Sequence, residues 1–380
     1  MLLMACLGGA AQTAGRATPG KPEKSPAGPP VVGRWVAPGY EKQAGEVDAL
    51  FRSFVGPRQP GGVVIVARDG QILFREAYGL ADAQQDRPLQ TDAIFHLASA
   101  GKQFTGLALL MLAEEGRLRL DDPVDRHLPE LARFGQAVTL RRMLHHTSGL
   151  PDYYETDRLY EQLFAFAAEP NNGDALQLLA ERGRMRFEPG EKFFYSNAAY
   201  DLLGSVVERV SGQPLGVFLA QRIFDPLGMT GTFSMPSPRR EQEARLPHSY
   251  SGGSSRQDIY DEDPLDRMVG SGSVYTTVDD MARYDAALYT ERLVKQSSLT
   301  QAYQSGKLND GSATGYGFGW ELGEVDGLPT LGHGGAWLGF ISSYWRCPQQ
   351  RLAVIVLLNR DYGLPDEELG AEIGRLYLDH

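Results

Sequence analysis

The sequence predicts an α+β fold: an antiparallel sheet flanked by helices, its strands divided between the two ends of the chain, with a helical lobe inserted between them. Three observations lead there. Residues 62–68 and 71–76 are strand-like runs joined by an Asp69-Gly70 turn, the pattern of a β-hairpin. Four further strand-like runs, 315–322, 328–331, 339–346 and 352–358, follow one another near the C-terminus. The stretch between carries apolar residues at helical spacing, broken by repeated helix stops. The expected organisation is a leader and solvated linker over residues 1–39, then one domain over 40–380. Within that domain an α/β lobe takes about 40–85 and 270–380, and a helical lobe about 86–269. A functional site is expected at the seam between the lobes.

The elements follow in chain order. Met1-Leu2-Leu3-Met4-Ala5-Cys6-Leu7-Gly8 is short and apolar, with small residues after it, and reads as a targeting segment. Leu3-Met4-Ala5-Cys6 resembles a bacterial lipoprotein cleavage site, although Met4 stands where a small residue is usual. Cys6 is therefore the candidate lipid anchor, and the expectation is an exported protein, periplasmic or membrane-anchored. No later apolar run reaches the roughly 20 residues that span a bilayer. Residues 18–39, rich in Pro, Gly, Lys and Ala, read as linker. A helix over 40–55 turns Val47, Leu50, Phe51 and Phe54 inward. After the hairpin, Phe104, Leu107, Ala108, Met111 and Leu112 mark a buried helix that begins around Ser99 and ends near Gly116. Asp121-Asp122-Pro123-Val124 opens a short helix, and a helix over 140–146 is stopped by Thr147, Gly149 and Pro151. Helices are expected over 174–183, about 198–210, and from Pro214 to just before Pro226. Residues 234–263 are polar and irregular, a long loop. Thr277 caps a helix running to about Leu288, and a last helix over about 366–377 packs on the sheet.

Charge and composition exclude several functions. A net charge of −11 and a pI near 5.2 argue against a nucleic-acid binder, which needs a basic face. Cys6 and Cys347 make no disulfide framework. No Cys/His group has zinc-ligand spacing, and the adjacent His145 and His146 do not point at one metal. Neither metal nor cofactor is expected, and the partner is a small ester, amide or peptide substrate.

Three short motifs carry chemistry. Ser99 and Lys102 are three apart, so a helix puts both on one face. A serine hydroxyl becomes nucleophilic when a neighbour takes its proton, and a buried amine kept neutral can do so. No other lysine in the chain has a serine three positions before it. Tyr195-Ser196-Asn197 is the sole Tyr-x-Asn. Its tyrosine can move protons if nearby cations lower its pKa, and its asparagine can hold a substrate carbonyl. Leu331-Gly332-His333-Gly334-Gly335-Ala336 holds the sole His-x-Gly. Its glycines let a substrate lie against a strand edge whose N–H groups bind an oxyanion, while His333 donates a hydrogen bond or carries charge. Ser148 and Ser273 lie in glycine-containing loops without a lysine at the right spacing, and read as turn residues.

Ser-x-x-Lys, Tyr-x-Asn and His-x-Gly in this order resemble the serine β-lactamase and penicillin-binding-protein superfamily. The likeness is to its class C β-lactamases, D,D-peptidases, D-aminopeptidases and carboxylesterases. Leu144-His145-His146-Thr147-Ser148-Gly149-Leu150, Pro226-Leu227-Gly228-Met229 and Tyr275-Thr276-Thr277-Val278-Asp279-Asp280-Met281 support it, and it covers about residues 49–377. The resemblance implies a β-lactamase/transpeptidase-like fold. It implies Ser99 as acylated nucleophile, Lys102 as proton acceptor or stabiliser of the true base, and Tyr195 as partner base and acid. It implies an oxyanion hole from the N–H groups of Ser99 and Ala336, at the strand edge of Gly335, with Asn197 orienting the acyl group. It leaves open which of Lys102 and Tyr195 is the base.

His333, which unlike lysine can be neutral at pH 7, stands where relatives have the lysine of Lys-Thr-Gly, and Gly334 where they have the hydroxyl. Both groups hold a substrate carboxylate there. The expectation is an acyl-serine hydrolase of esters or amides lacking that carboxylate. The alternatives are a class C-like β-lactamase or D,D-carboxypeptidase, with Arg346 or Arg360 restoring the contact, and a non-catalytic penicillin- or peptidoglycan-binding sensor. An ordinary lipase is disfavoured because no Gly-x-Ser-x-Gly occurs.

Overall fold

The computed structural model describes residues 32–379 apart from 155–156, 236–243, 253–257 and 366–367. Cys6 and the targeting segment lie outside the described residues, as does part of the 234–263 loop.

The chain enters through β1 (Trp35–Val36), α1 (Glu41–Phe54), β2 (Gly62–Arg68) and β3 (Gln71–Tyr78). Asp69 and Gly70 both have positive φ (51° and 76°), as the tight hairpin turn requires. Two short strands, β4 (Leu80–Asp82) and β5 (Arg87–Pro88), precede β6 (Phe95–His96). A 3-10 turn, Ala98–Gly101, then runs straight into α2 (Lys102–Glu114). The helical region continues through α3 (Leu140–Leu144), α4 (Asp157–Phe166), α5 (Asn172–Arg182), α6 (Asn197–Ser211), α7 (Leu215–Leu219) and α8 (Asp225–Leu227). Next come β7 (Phe233–Ser234), β8 (Val274–Thr276), α9 (Val278–Ala287) and α10 (Gln296–Ala302). The chain closes with β9 (Glu321–Val325), β10 (Leu328–Trp337), β11 (Phe340–Cys347), β12 (Leu352–Leu358) and α11 (Leu369–Tyr377).

Seven strands make the main sheet in the order β1-β3-β2-β12-β11-β10-β9. Every neighbouring pair is antiparallel. The N-terminal hairpin thus joins the C-terminal strands through β2 and β12, with Ile65 opposite Ile355. These two strands are buried on both faces, which is why they read as continuous apolar runs. Their side chains still alternate. Val64, Val66, Val354 and Val356 pack with Val47 and Phe51 of α1 and Ile373 of α11. Val63, Ile65, Ile355 and Leu357 pack on the opposite face with α2 and the helical region. α2 itself is buried from Lys102 through Leu112, so it is the axis of that second core.

Three expectations are corrected. Residues 315–322 alternate like a strand, yet only Glu321 onward pairs as one. Phe318 and Trp320 are buried as expected of one face. A Cβ on Gly317 would meet the Ala302 carbonyl at 1.9 Å, and one on Gly319, at φ 77°, would meet Gln103 N at 2.5 Å. The glycines serve close backbone approach to α10 and α2, which strand pairing would forbid. The helix from Pro214 does not stop before Pro226. It passes through a π-helical turn at Ala220–Phe224 and takes Pro226 into the first turn of α8. β10 extends six residues past Leu331 and so carries the whole His-x-Gly motif on a strand.

Candidate active site

Ser99 stands at the junction of β6 and α2. β6 pairs with β8, and Leu97 N–H continues the ladder to Val274 O at 2.7 Å. Ser342 Oγ on β11 donates to Leu97 O at 2.6 Å. Ala98, one residue before Ser99, has φ 49°, a conformation that costs a Cβ-bearing residue about 1–2 kcal/mol. Its N–H donates to His96 Nδ1 at 3.0 Å. Burial holds the His96 pKa down near 3, so the ring is neutral and its proton sits on Nε2. The strained turn leaves Ser99 partly exposed at the mouth of a cleft also lined by Asn197, Ser271, Ala336 and Trp337.

Lys102 lies directly behind it. Its Nζ is 3.1 Å from Ser99 Oγ, 2.6 Å from Asn197 Oδ1 and 2.8 Å from Ser271 O. The side chain is fully buried. Burial lowers its pKa to about 7, against the opposing pull of the Asp201 and Asp152 carboxylates. A neutral amine here donates to Asn197 and Ser271 and accepts from the Ser99 hydroxyl. Asp201 is itself buried and its pKa is raised to about 6 by that burial. It accepts from the Tyr153 hydroxyl and, at 2.9 Å, from Ser271 N–H. Ser271 therefore links the amine and the acid, accepting from one and donating to the other. Asp152 Oδ2 accepts from Ala198 N–H at the start of α6 (3.2 Å), and so fixes the helix that carries Asn197.

Tyr195 faces Ser99, and its hydroxyl is buried with no hydrogen bond of ordinary geometry in the protein. Lys102 Nζ sits 4.7 Å from the ring centroid. The sequence expectation of a lowered tyrosine pKa is corrected. Burial raises it, and the weak pull of the Ser99 hydroxyl does not offset that. His146 packs its ring on Tyr195 at 4.4 Å and accepts the Ser196 N–H on Nδ1 at 3.0 Å, which holds the Tyr-x-Asn turn.

The third motif lies along β10. β9 pairs with β10 only as far as Gly332, opposite Glu321. Beyond Gly332 the 3-10 turn of Ser99 occupies the vacated edge. A Cβ on Gly335 would meet Leu97 O at 2.5 Å and Ser99 N at 2.9 Å, so this close approach admits only glycine. Ala336 follows, exposed at the cleft. His333 does not play its expected part. Its Nδ1–H donates to Gly334 O (2.5 Å), and its Nε2 accepts from the Tyr316 hydroxyl (2.8 Å). Burial and the nearby Lys102 lower its pKa to about 3. It is a neutral, fully engaged group, neither a cation nor a free donor. The two arginines are also engaged. Arg346 faces Asp285 at 2.9 Å and donates to the Tyr303 hydroxyl, while Arg360 donates to Tyr362 O, Phe54 O and Gln59 Oε1.

The fold thus brings Ser99, Lys102, Tyr195, Asn197, Gly335 and Ala336 to one cleft and tucks His333 behind it. Sequence reasoning missed Asp152, Asp201, His146, Tyr316 and Trp337. Asp201 had a signal: it lies four residues after Asn197, on the same helix face. Ser273, read as a turn residue, does turn with φ 61°, but it also lines the cleft.

The family model described as Beta-lactamase matches residues 47–379. Penicillin-binding protein 4* of Bacillus subtilis (strain 168) is 34% identical over 330 residues, spanning 83% of this chain and 71% of its own length. Esterase EstB of Burkholderia gladioli is 32% identical over 359 residues, 84% of this chain and 91% of the esterase. A D-aminopeptidase of Cereibacter sphaeroides (strain ATCC 17029 / ATH 2.4.9) is 31% identical over 326 residues, 83% of this chain but only 59% of the aminopeptidase. Among solved structures, the octameric penicillin-binding protein homologue from Pyrococcus abyssi superposes with a TM-score of 0.72 at 24% identity. That match covers 89% of this chain and 76% of the other, and it shows the shared fold.

Proposed function

Because the chain belongs to the beta-lactamase family of serine hydrolases, we propose that it cleaves esters or amides lacking a carboxylate at the His333 position, through an acyl-enzyme on Ser99. The observation that carries this reading is the buried Lys102 amine, 3.1 Å from Ser99 Oγ and poised near pKa 7. Lys102 is the base. Tyr195, its pKa raised, is a phenol at neutral pH and serves as a proton relay. Ser99 Oγ passes its proton to Lys102 and attacks the carbonyl carbon. The oxyanion is received by the N–H groups of Ser99 and Ala336. Tyr195 hands a proton to the leaving group as the carbonyl–heteroatom bond breaks, and is resupplied from Lys102. Water then attacks the acyl-enzyme by the same route reversed. Asn197 Nδ2 is left to hold the acyl amide or carbonyl while Oδ1 accepts from Lys102.

Substrate class follows from His333. A charge-assisted hydrogen bond contributes about 1.5–3 kcal/mol. Neither the neutral His333 nor the bare Gly334 offers one, and Arg346 and Arg360 have other partners. For a cephalosporin and a matched neutral ester of comparable chemical reactivity, kcat/KM is expected to favour the ester by at least about tenfold to a hundredfold. Equal or better cephalosporin turnover by the purified protein contradicts this reading and favours the β-lactamase alternative.

A further inference from the structure

The pocket beside Ser99 that Asn197 lines also has residues the mechanism does not use. Tyr154, Leu265, Met268 and Trp337 line it beside Ser99. Trp337 directly follows Ala336, so its indole lies one residue from the oxyanion edge.

Three restraints fix that indole. Its Nε1–H donates to Asp266 Oδ1 at 2.7 Å. Asp266 is buried, and its other oxygen accepts the Asp263 N–H at 2.9 Å, so the acceptor is itself held. The ring meets Tyr154 edge-on with centroids 6.3 Å apart. The backbone then reverses in two residues, because Trp337 pairs with Phe340. Leu338 takes φ 56° in that turn, a region that disfavours side chains with a Cβ. A Cβ on Gly339 would meet Tyr250 N at 2.4 Å, so the turn is clamped from behind. Strained residues persist where their surroundings over-determine them, and they cluster at ligand clamps. Around Asp266, a neighbouring cavity is lined by Asp261, Glu262 and Asp263; they outnumber His248, which pairs with Asp261, and Arg267, which pairs with Glu169, and this excess of acid opposes an anionic group.

We propose that Trp337, held by Asp266, is the specificity-determining residue of an acyl-side subsite that selects aromatic, non-anionic acyl groups. The inference rests on the Ser99 acyl-enzyme reading, and its test separates the two. The probes are the p-nitrophenyl esters of acetate, phenylacetate and monosuccinate, which share a leaving group. Their kcat/KM values are divided by their alkaline hydrolysis rates to remove intrinsic reactivity. Wild type is expected to favour phenylacetate over acetate at least tenfold, and to disfavour monosuccinate. Trp337→Ala collapses the phenylacetate preference. Trp337→Phe, which keeps an aromatic wall but loses the bond to Asp266, gives an intermediate ratio. Asp266→Asn has one acceptor oxygen for the two donors that Asp266 serves, the indole and the Asp263 N–H, and so lowers the ratio; Asp266→Ala lowers it further. A wild-type ratio near one, or a ratio unmoved in both Trp337 variants, overturns the subsite while Ser99-dependent turnover leaves the acyl-enzyme reading standing. Ester turnover that survives Ser99→Ala, or no turnover of any ester, overturns both.

Discussion

Lys102 is held between two opposing influences. Burial favours the neutral amine, and the carboxylates of Asp201 and Asp152 favour the ammonium. With Lys102 as the base proposed above, the balance near 7 gives the reaction an acid limb. Below that pH Lys102 is protonated and cannot accept the Ser99 proton, so kcat/KM falls as pH falls through about 7. His333, near 3, adds no limb between pH 5 and 8. Asp201→Asn removes a negative charge that favours the ammonium. The Lys102 pKa then drops, and the acid limb moves to lower pH. A pH profile of kcat/KM on a neutral ester checks this, and a limb that stays in place or moves upward contradicts it. The motifs at this scale were legible because Ser-x-x-Lys and Tyr-x-Asn are local. A neutral His333 was foreseen, but its engagement by Tyr316 and the raised pKa of Tyr195 were not, because the groups that surround them come from other parts of the chain.

β10 is the element on which the site turns. It is long enough to outrun β9, and its free edge carries Gly335 and Ala336 against the Ser99 turn. Gly335→Ala puts a methyl 2.5 Å from Leu97 O, 2.6 Å from Ser342 Oγ and 2.9 Å from Ser99 N. The strand must move off the turn, which displaces the Ala336 N–H proposed above as an oxyanion donor. Loss of one oxyanion donor costs about 10²–10³ in kcat. The expected result is a fall of at least about a hundredfold in kcat, with the protein still folded by circular dichroism. Wild-type kcat in this variant contradicts the assigned oxyanion edge. In the sequence these glycines read as admitting a substrate to the strand edge, whereas Gly335 admits the backbone of the Ser99 turn. Those of 315–319 were misread as part of a strand, because alternating burial alone does not distinguish a ladder from a coil laid against α2 and α10.

The whole molecule is a sheet assembled from both ends of the chain around a buried central helix. β2 and β12 close it, and the residues between supply the helical region. This plan was legible from the hairpin at one end, the strand run at the other and the helical periodicity between. What it did not reveal was how each lobe contributes to the cleft. Ser99 and Lys102 come from the junction of β6 and α2, Tyr195 and Asn197 from the start of α6, and Ala336 from the main sheet. Joining them through Ser271, Asp201 and Asp152 depends on tertiary packing that no local pattern encodes. If that assembly is an acyl-serine site, one side chain takes the acyl group. The direct measurement is intact mass after incubation with a fluorophosphonate, for wild type and Ser99→Ala. A single phosphonyl adduct on wild type, mapped to the Ser99 peptide and absent from Ser99→Ala, is the result expected. A wild type that stays unlabelled, or a label that persists in Ser99→Ala, contradicts it.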